Sequence, residues 1–237
     1  MTFEELLEVA RSRDEIVGLY LFGSRGRDFM VDERSDWDVC VVLASRAARA
    51  EFDRVFPYAH GARVEIASAT LEEIRDDPSE HGRYAAAHAD VVLDKTGGEL
   101  TRVIAEQESL PRGSSEAVVR EALDGYINQT YRSLRYGIRL DAVEAIPHAL
   151  RTIFALENRV RPYNKYLEWE LRHHPLEGWT AGELLPLLDR VLTGEREAQH
   201  ELFRRIEEPA RGAGFGDVVD GWEPDLDWLR GRGEYRA

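Results

Sequence analysis

The sequence predicts two differently built parts: a mixed α/β region up to residue 112 and an all-helical region, a bundle, over 113–237. Two observations predict this. Four short apolar runs, Ile16–Phe22, Asp38–Leu43, Ala62–Ala67 and Ala89–Asp94, alternate with helix-spaced segments, the pattern of strands interleaved with helices. After Ser109-Leu110-Pro111-Arg112-Gly113-Ser114-Ser115, a linker-like composition, only helical spacing is found.

In chain order, Phe3, Leu6, Leu7 and Ala10 have helical spacing, with Thr2 as N-cap. Ile16–Phe22 reads as a buried strand, Gly23–Gly26 as a turn, and residues 27–34 as polar loop. Asp38–Leu43 is the second strand. A short helix over Arg46–Phe56 is stopped by Pro57. Ala62–Ala67 alternates strictly, so Val64 and Ile66 face one side while Arg63 and Glu65 face the open side. Thr70–Arg75 starts a helix that ends at Asp77-Pro78. Ala89–Asp94 is the fourth strand, closed by Thr96-Gly97-Gly98, and Glu99–Glu108 is helical. In the second part, Ser115 is read as the cap of a helix with the stripe Val119, Ala122 or Leu123, Tyr126, Thr130 and Leu134. Asp141 is read as the cap of the next, with Pro147 predicting a kink or a late start. Asn164–His173, Thr180–Leu192 and Glu195–Arg211 complete the helical pattern, and Trp222–Trp228 has no assignment.

Composition narrows the function classes. Of 237 residues, 43% are hydrophobic and 32% charged, ordinary for a globular chain long enough for one large or two small cores. No run of 18 apolar residues occurs and the N-terminus is acidic and amphipathic, so neither a membrane span nor a signal peptide is expected. The single cysteine, Cys40, cannot form an internal disulfide, which fits a reducing cytoplasm, and its apolar neighbours predict a buried strand position. A net charge of −14 counts against nucleic-acid partners and favours cationic small molecules or basic proteins. Oligomeric state is not legible.

The chemistry concentrates in Leu19–Leu43. An apolar run ends at Gly23-Ser24; eleven residues later Asp36-Trp37-Asp38 opens the next run. Strand residues two apart project to one face, so both carboxylates point together. Paired hard oxygen donors suit Mg²⁺, and a Gly-Ser turn can hold phosphates through backbone N–H groups. Glu65 adds a third carboxylate on a later strand.

This spacing resembles the polymerase-beta-like nucleotidyltransferase superfamily, in which a Gly-Ser turn, a short gap, an Asp-x-Asp pair and a carboxylate on a neighbouring strand form the site. Phe22, Trp37 and Val39 fit the surrounding pattern, and Glu65 stands where many members have Asp. The resemblance implies an α+β fold, a small mixed sheet flanked by helices, followed by a helical domain that closes a cleft. It implies two Mg²⁺ ions at Asp36 and Asp38, with Glu65 as metal ligand or general base, and ATP as co-substrate held by Gly23, Ser24 and Arg25. Arg27 is a weaker cationic candidate, read as an exposed residue after the turn. The Ala62–Ile66 stretch and the two-part layout resemble the aminoglycoside and lincosamide nucleotidyltransferases. These carry a helical-domain lysine that meets the triphosphate; Lys165, with Tyr163 and Asn164 beside it, is similar in setting.

The function so implied is transfer of AMP from ATP to a hydroxyl of a small, cationic acceptor such as an antibiotic. Alternatives are the same transfer onto a protein or tRNA, as in toxin–antitoxin nucleotidyltransferases, or a degenerate binding module. Glu157 and Asn158 are weaker acceptor-site candidates. Asp94 and Lys95 are explained equally well by a strand-end turn. His173-His174 reads as a helix end, because adjacent helical residues point apart.

Overall fold

Thr2 opens the first helix, α1 (Phe3–Ser12), through a capping box: its hydroxyl accepts from Glu5 N–H while the Glu5 carboxylate accepts from Thr2 N–H. The computed structural model describes residues 1–233 and 235. They form two units, Met1–Pro111 and Arg112–Ala237.

In the first unit α1 is followed by β1 (Ile16–Leu21), the one-turn helix α2 (Gly23–Gly26), β2 (Trp37–Leu43), α3 (Arg46–Val55), β3 (Val64–Thr70), α4 (Leu71–Arg75), α5 (Glu80–Ala86), β4 (Asp90–Asp94) and α6 (Glu99–Ala105). A single 3₁₀ turn, Glu106–Glu108, continues α6. The sheet order is β3-β2-β1-β4. β1 is antiparallel to both β2 and β4, and β2 is parallel to β3, so the sheet is mixed. Alternation gives it two apolar faces. Leu19, Leu21, Val39, Val41 and Val64 meet Leu6 and Ala10 of α1 and Phe52 of α3. Tyr20, Cys40 and Val42 meet Ile74 of α4, Ala86 of α5 and Leu100, Val103 and Ile104 of α6. Each fully buried leucine here contributes about 2 kcal/mol.

Several sequence expectations shift. Gly23–Gly26, read as a turn, closes a helical turn with Gly26 N–H donating to the Phe22 carbonyl. β3 runs further than expected, to Thr70, whose side chain then caps α4. α5 has no counterpart in the sequence reading, because its seven residues are too few to show a period.

The second unit contains α7 (Ser115–Tyr136), α8 (Arg139–Leu156), α9 (Leu167–His173) after a 3₁₀ turn at Asn164–Tyr166, α10 (Ala181–Leu192), α11 (Arg196–Gly212), α12 (Gly216–Asp220) and α13 (Leu226–Leu229). α13 overlaps Trp222–Trp228, the stretch left unassigned from sequence, and α12 lies between it and the helix expected over Glu195–Arg211. The core draws on Leu123, Ile127, Leu150, Phe154, Leu187 and Phe203, among others. Ser115 is not the cap of α7: it is the first helical residue, and Ser114 holds the cap position without a side-chain cap bond. Asp141 is not a cap either. α8 begins at Arg139 and runs through Pro147, and Asp141 is buried in its first turn. Proline removes one helical hydrogen bond, but burying Ala142, Ala145, Ala149 and Leu150 on either side outweighs that loss. Among the described residues no helix is long and apolar enough to cross a membrane.

Candidate active site

β1 delivers the chain to Gly23 at one end of the sheet, and β2 leaves from the same end. Phe22 N–H donates to the Asp38 carbonyl at 3.0 Å, tying the two together. Gly23 has φ +64°, the left-handed region, and a Cβ built on it would lie 1.9 Å from Asp38 Oδ2. Only glycine fits, because the Asp38 carboxylate packs directly on its α-carbon. Ser24 follows in α2, and its carbonyl accepts from Phe29 N–H at 3.0 Å.

Asp36 precedes β2 and Asp38 lies within it. Arg25 fixes the approach to this pair: Nε donates to the Asp36 carbonyl at 2.9 Å and Nη2 to the Ser35 carbonyl at 2.8 Å. Its guanidinium also stacks 4.2 Å from the Trp37 ring centroid. Within the first unit Arg25 thus holds the loop that presents Asp36. Arg27, expected to be exposed, is buried. Nη2 donates to the carbonyls of Tyr84 at 2.5 Å and Ala87 at 2.6 Å, at the end of α5. A helix end leaves carbonyls without intrahelical partners, and Arg27 satisfies two of them.

Glu65 is the Cα partner of Asp38 in the parallel β2–β3 ladder. Asp36, Asp38 and Glu65 each offer a carboxylate oxygen within 4.8 Å of the others. The expectation of an open-face Glu65 is corrected: its relative exposure is 6%. Alternation assigned the face correctly, but the loop between α3 and β3 covers it. From that loop the Tyr58 hydroxyl donates to Oε2 at 2.7 Å and Gly61 N–H to Oε1 at 2.5 Å, with His60 Nδ1 3.3 Å from Oε1. The Tyr58 bond, then the Gly61 amide, hold the Glu65 carboxyl below its ordinary pKa, so it stays ionised although buried. Three adjacent carboxylates repel one another unless a cation lies among them, and an all-oxygen donor set of this kind fits Mg²⁺. Tyr58, His60 and Gly61 were not found from sequence; no local pattern marks a loop that folds back on a strand.

The remaining candidates are placed within their own units. Lys95 Nζ donates to the carbonyls of Ala10, Arg11 and Arg13 at 2.8, 3.2 and 2.9 Å, closing the C-terminal end of α1. Asp94 accepts from Thr96 and Thr101 side chains and N–H groups. Burial pushes its pKa up, but those bonds prevail and bring it down to about 2. Strand-end architecture accounts for both residues. In the second unit Tyr163 precedes the 3₁₀ turn, and the exposed Lys165 places Nζ 4.7 Å from the Tyr166 ring centroid. Glu157 Oε1 accepts from Glu177 N–H at 2.6 Å, and Asn158 has φ +57° just past α8. His173 ends α9, with Nδ1 2.8 Å from the Trp169 carbonyl.

Comparison with known proteins bears on the first unit most directly. A family model described as a nucleotidyltransferase domain matches residues 3–123, which include all three clustered carboxylates. The crystal structure of a nucleotidyltransferase-like protein from Exiguobacterium sibiricum aligns with 94% of this chain and 74% of its own, at 10% identity and a TM-score of 0.33. No curated protein matches the chain.

Proposed function

Because this chain belongs to the nucleotidyltransferase domain family, we propose that it transfers a nucleoside monophosphate, AMP from ATP, to a hydroxyl of a small cationic acceptor in the cytoplasm. The observation that carries the reading is the clustering of Asp36, Asp38 and Glu65 oxygens within 4.8 Å inside the matched region. Asp36 and Asp38 would hold Mg²⁺, with Glu65 completing the donor set or taking the acceptor proton. When bound, the metal would supply charge stabilisation to the triphosphate and the attacking oxygen. The Gly23-Ser24 turn would meet the phosphates through its backbone N–H groups and the Ser24 hydroxyl. Arg25 acts by holding the Asp36 loop.

Lys165 and Tyr163 are assigned to the nucleotide on resemblance alone. A Lys165→Ala variant tests this through the nucleotide KM, which rises if the ammonium meets the triphosphate and is unchanged if it does not. The antibiotic-type acceptor rests on the same resemblance and on the net charge of −14, which concentrates cations.

The test is incubation with Mg²⁺, α-labelled ATP and a panel of aminoglycosides and lincosamides. Label on a small molecule supports the reading, whereas label on an added protein or tRNA replaces the acceptor class. Absence of pyrophosphate release with every acceptor removes the reading. Glu65→Gln separates its two roles: retained metal affinity with lost turnover assigns the proton, and lost affinity assigns the ligand.

A further inference from the structure

The sequence motif explains why three carboxylates meet, but not what meets Glu65 from the covering loop. Tyr58 is 60% exposed, unlike Tyr84, Tyr126 and Tyr166, which are each 1% exposed and serve as core. Its ring contributes little packing; its hydroxyl is what is engaged, 2.7 Å from Glu65 Oε2. The same carboxylate lies with those of Asp36 and Asp38. An acceptor in nucleotidyl transfer needs a hydroxyl within hydrogen-bond reach of a proton-accepting carboxylate, next to the groups that hold the triphosphate, and open to solvent. Tyr58 meets these conditions without any added molecule.

We propose that Tyr58 is itself a nucleotidyl acceptor, so that the chain modifies its own tyrosine. This rests on the function proposed above. In the step, Tyr58 Oη forms a bond to the α-phosphorus of a nucleoside triphosphate. The bond from that phosphorus to the bridging oxygen of the β-phosphate breaks, and pyrophosphate leaves with the electron pair. The phenolic proton passes to Glu65 Oε2. The product is a tyrosyl–nucleoside phosphodiester, and no oxidant or reductant is involved. Because the adduct removes the proton that Tyr58 donates to Glu65, each chain takes up a single nucleotide there and the contact is then lost.

The experiment incubates the full chain with Mg²⁺ and each of the four ribonucleoside triphosphates, without any other acceptor. Intact mass spectrometry and peptide mapping are then read on the same sample. The expected result is a mass gain of one nucleoside monophosphate, mapped to Tyr58, reversed by a phosphodiesterase and absent from Asp38→Asn. Tyr58→Phe is expected to carry no adduct on that peptide, with circular dichroism confirming its fold; mapping on the unaltered chain does not depend on that variant. An unmodified Tyr58, an adduct at another residue only, or an adduct undiminished in Asp38→Asn overturns the proposal. A parallel titration with MgATP and the acceptor panel keeps the two readings apart. If the chain binds nucleotide and labels a small molecule while Tyr58 stays bare, self-modification alone falls. If it does neither, both fall.

Discussion

Glu170 in the helical unit and Glu65 in the sheet unit are both nearly sealed from solvent, at 2% and 6% exposure. Glu170 meets a cation of the same unit: Arg159 Nη2 lies 2.5 Å from its Oε1. Glu207, on α11, is likewise shared by Arg211 and Arg230. Glu65 is instead held by a phenol and an amide, and it faces Asp36 and Asp38. The helical unit thus meets these buried carboxylates with arginines, whereas the sheet unit gathers three carboxylates and holds Glu65 chiefly with a phenol and an amide. A cluster of that kind costs stability unless a cation joins it, and such a cost marks a functional site rather than a structural one.

The contrast can be broken most forcefully at the compensated pair. Glu170→Ala leaves the half-buried Arg159 without its carboxylate and is expected to cost about 3 kcal/mol in urea unfolding. Nucleotidyl transfer per folded molecule should be unchanged. The opposite pattern is expected in the sheet unit. Asp38→Asn should reduce turnover at least about a hundredfold, roughly 2.7 kcal/mol, yet leave the urea midpoint unchanged or higher, because repulsion is relieved. A comparable loss of stability in both variants would erase the distinction.

Asp94 sharpens the point that neutral donors alone can hold a carboxylate charged. Its pKa in the folded chain is about 2 against an ordinary value of 3.8. The stabilisation is therefore complete above about pH 4 and lost as the pH falls toward 2, on the order of 2 kcal/mol. Asp94→Asn should flatten the stability profile across that window. The smallest effect is expected from Tyr58→Phe. Removing the principal bond to Glu65 should raise that carboxyl toward its ordinary value and cost about 1 kcal/mol at neutral pH. Carboxyl-carbon NMR titration would show the rise; an unmoved Glu65 would mean that Gly61 N–H suffices.

The parts of this arrangement legible in the sequence are those set by local spacing. Gly23-Ser24 and Asp36-Trp37-Asp38 announce themselves because a strand end, a turn and a strand start lie in one short stretch. Thr2, followed by helix-spaced Phe3, Leu6, Leu7 and Ala10, announces α1 for the same reason. The capping expectations at Ser115 and Asp141 failed because suitable cap residues sit close to helix starts without defining them. α8 starts at Arg139, and Asp141 is drawn inside. Arg27 was misread because its partners, the Tyr84 and Ala87 carbonyls, are 57 and 60 residues away. Glu65 was placed on the correct face, but alternation says nothing about what covers a face. Tyr58 and Gly61 lie seven and four residues before Glu65, in a loop without the periodicity that marks a helix or strand.

The proposed function requires that Asp36 and Asp38, beside Glu65, hold a cation for a nucleotide. Titrating Mn²⁺, as a paramagnetic substitute for Mg²⁺, into the intact chain and into Asp38→Asn, each with ATP present, tests it most directly. The expected result is saturable binding to the unaltered chain, weakened at least about tenfold in the variant. Equal affinity in the two proteins, or no binding by either, would contradict it.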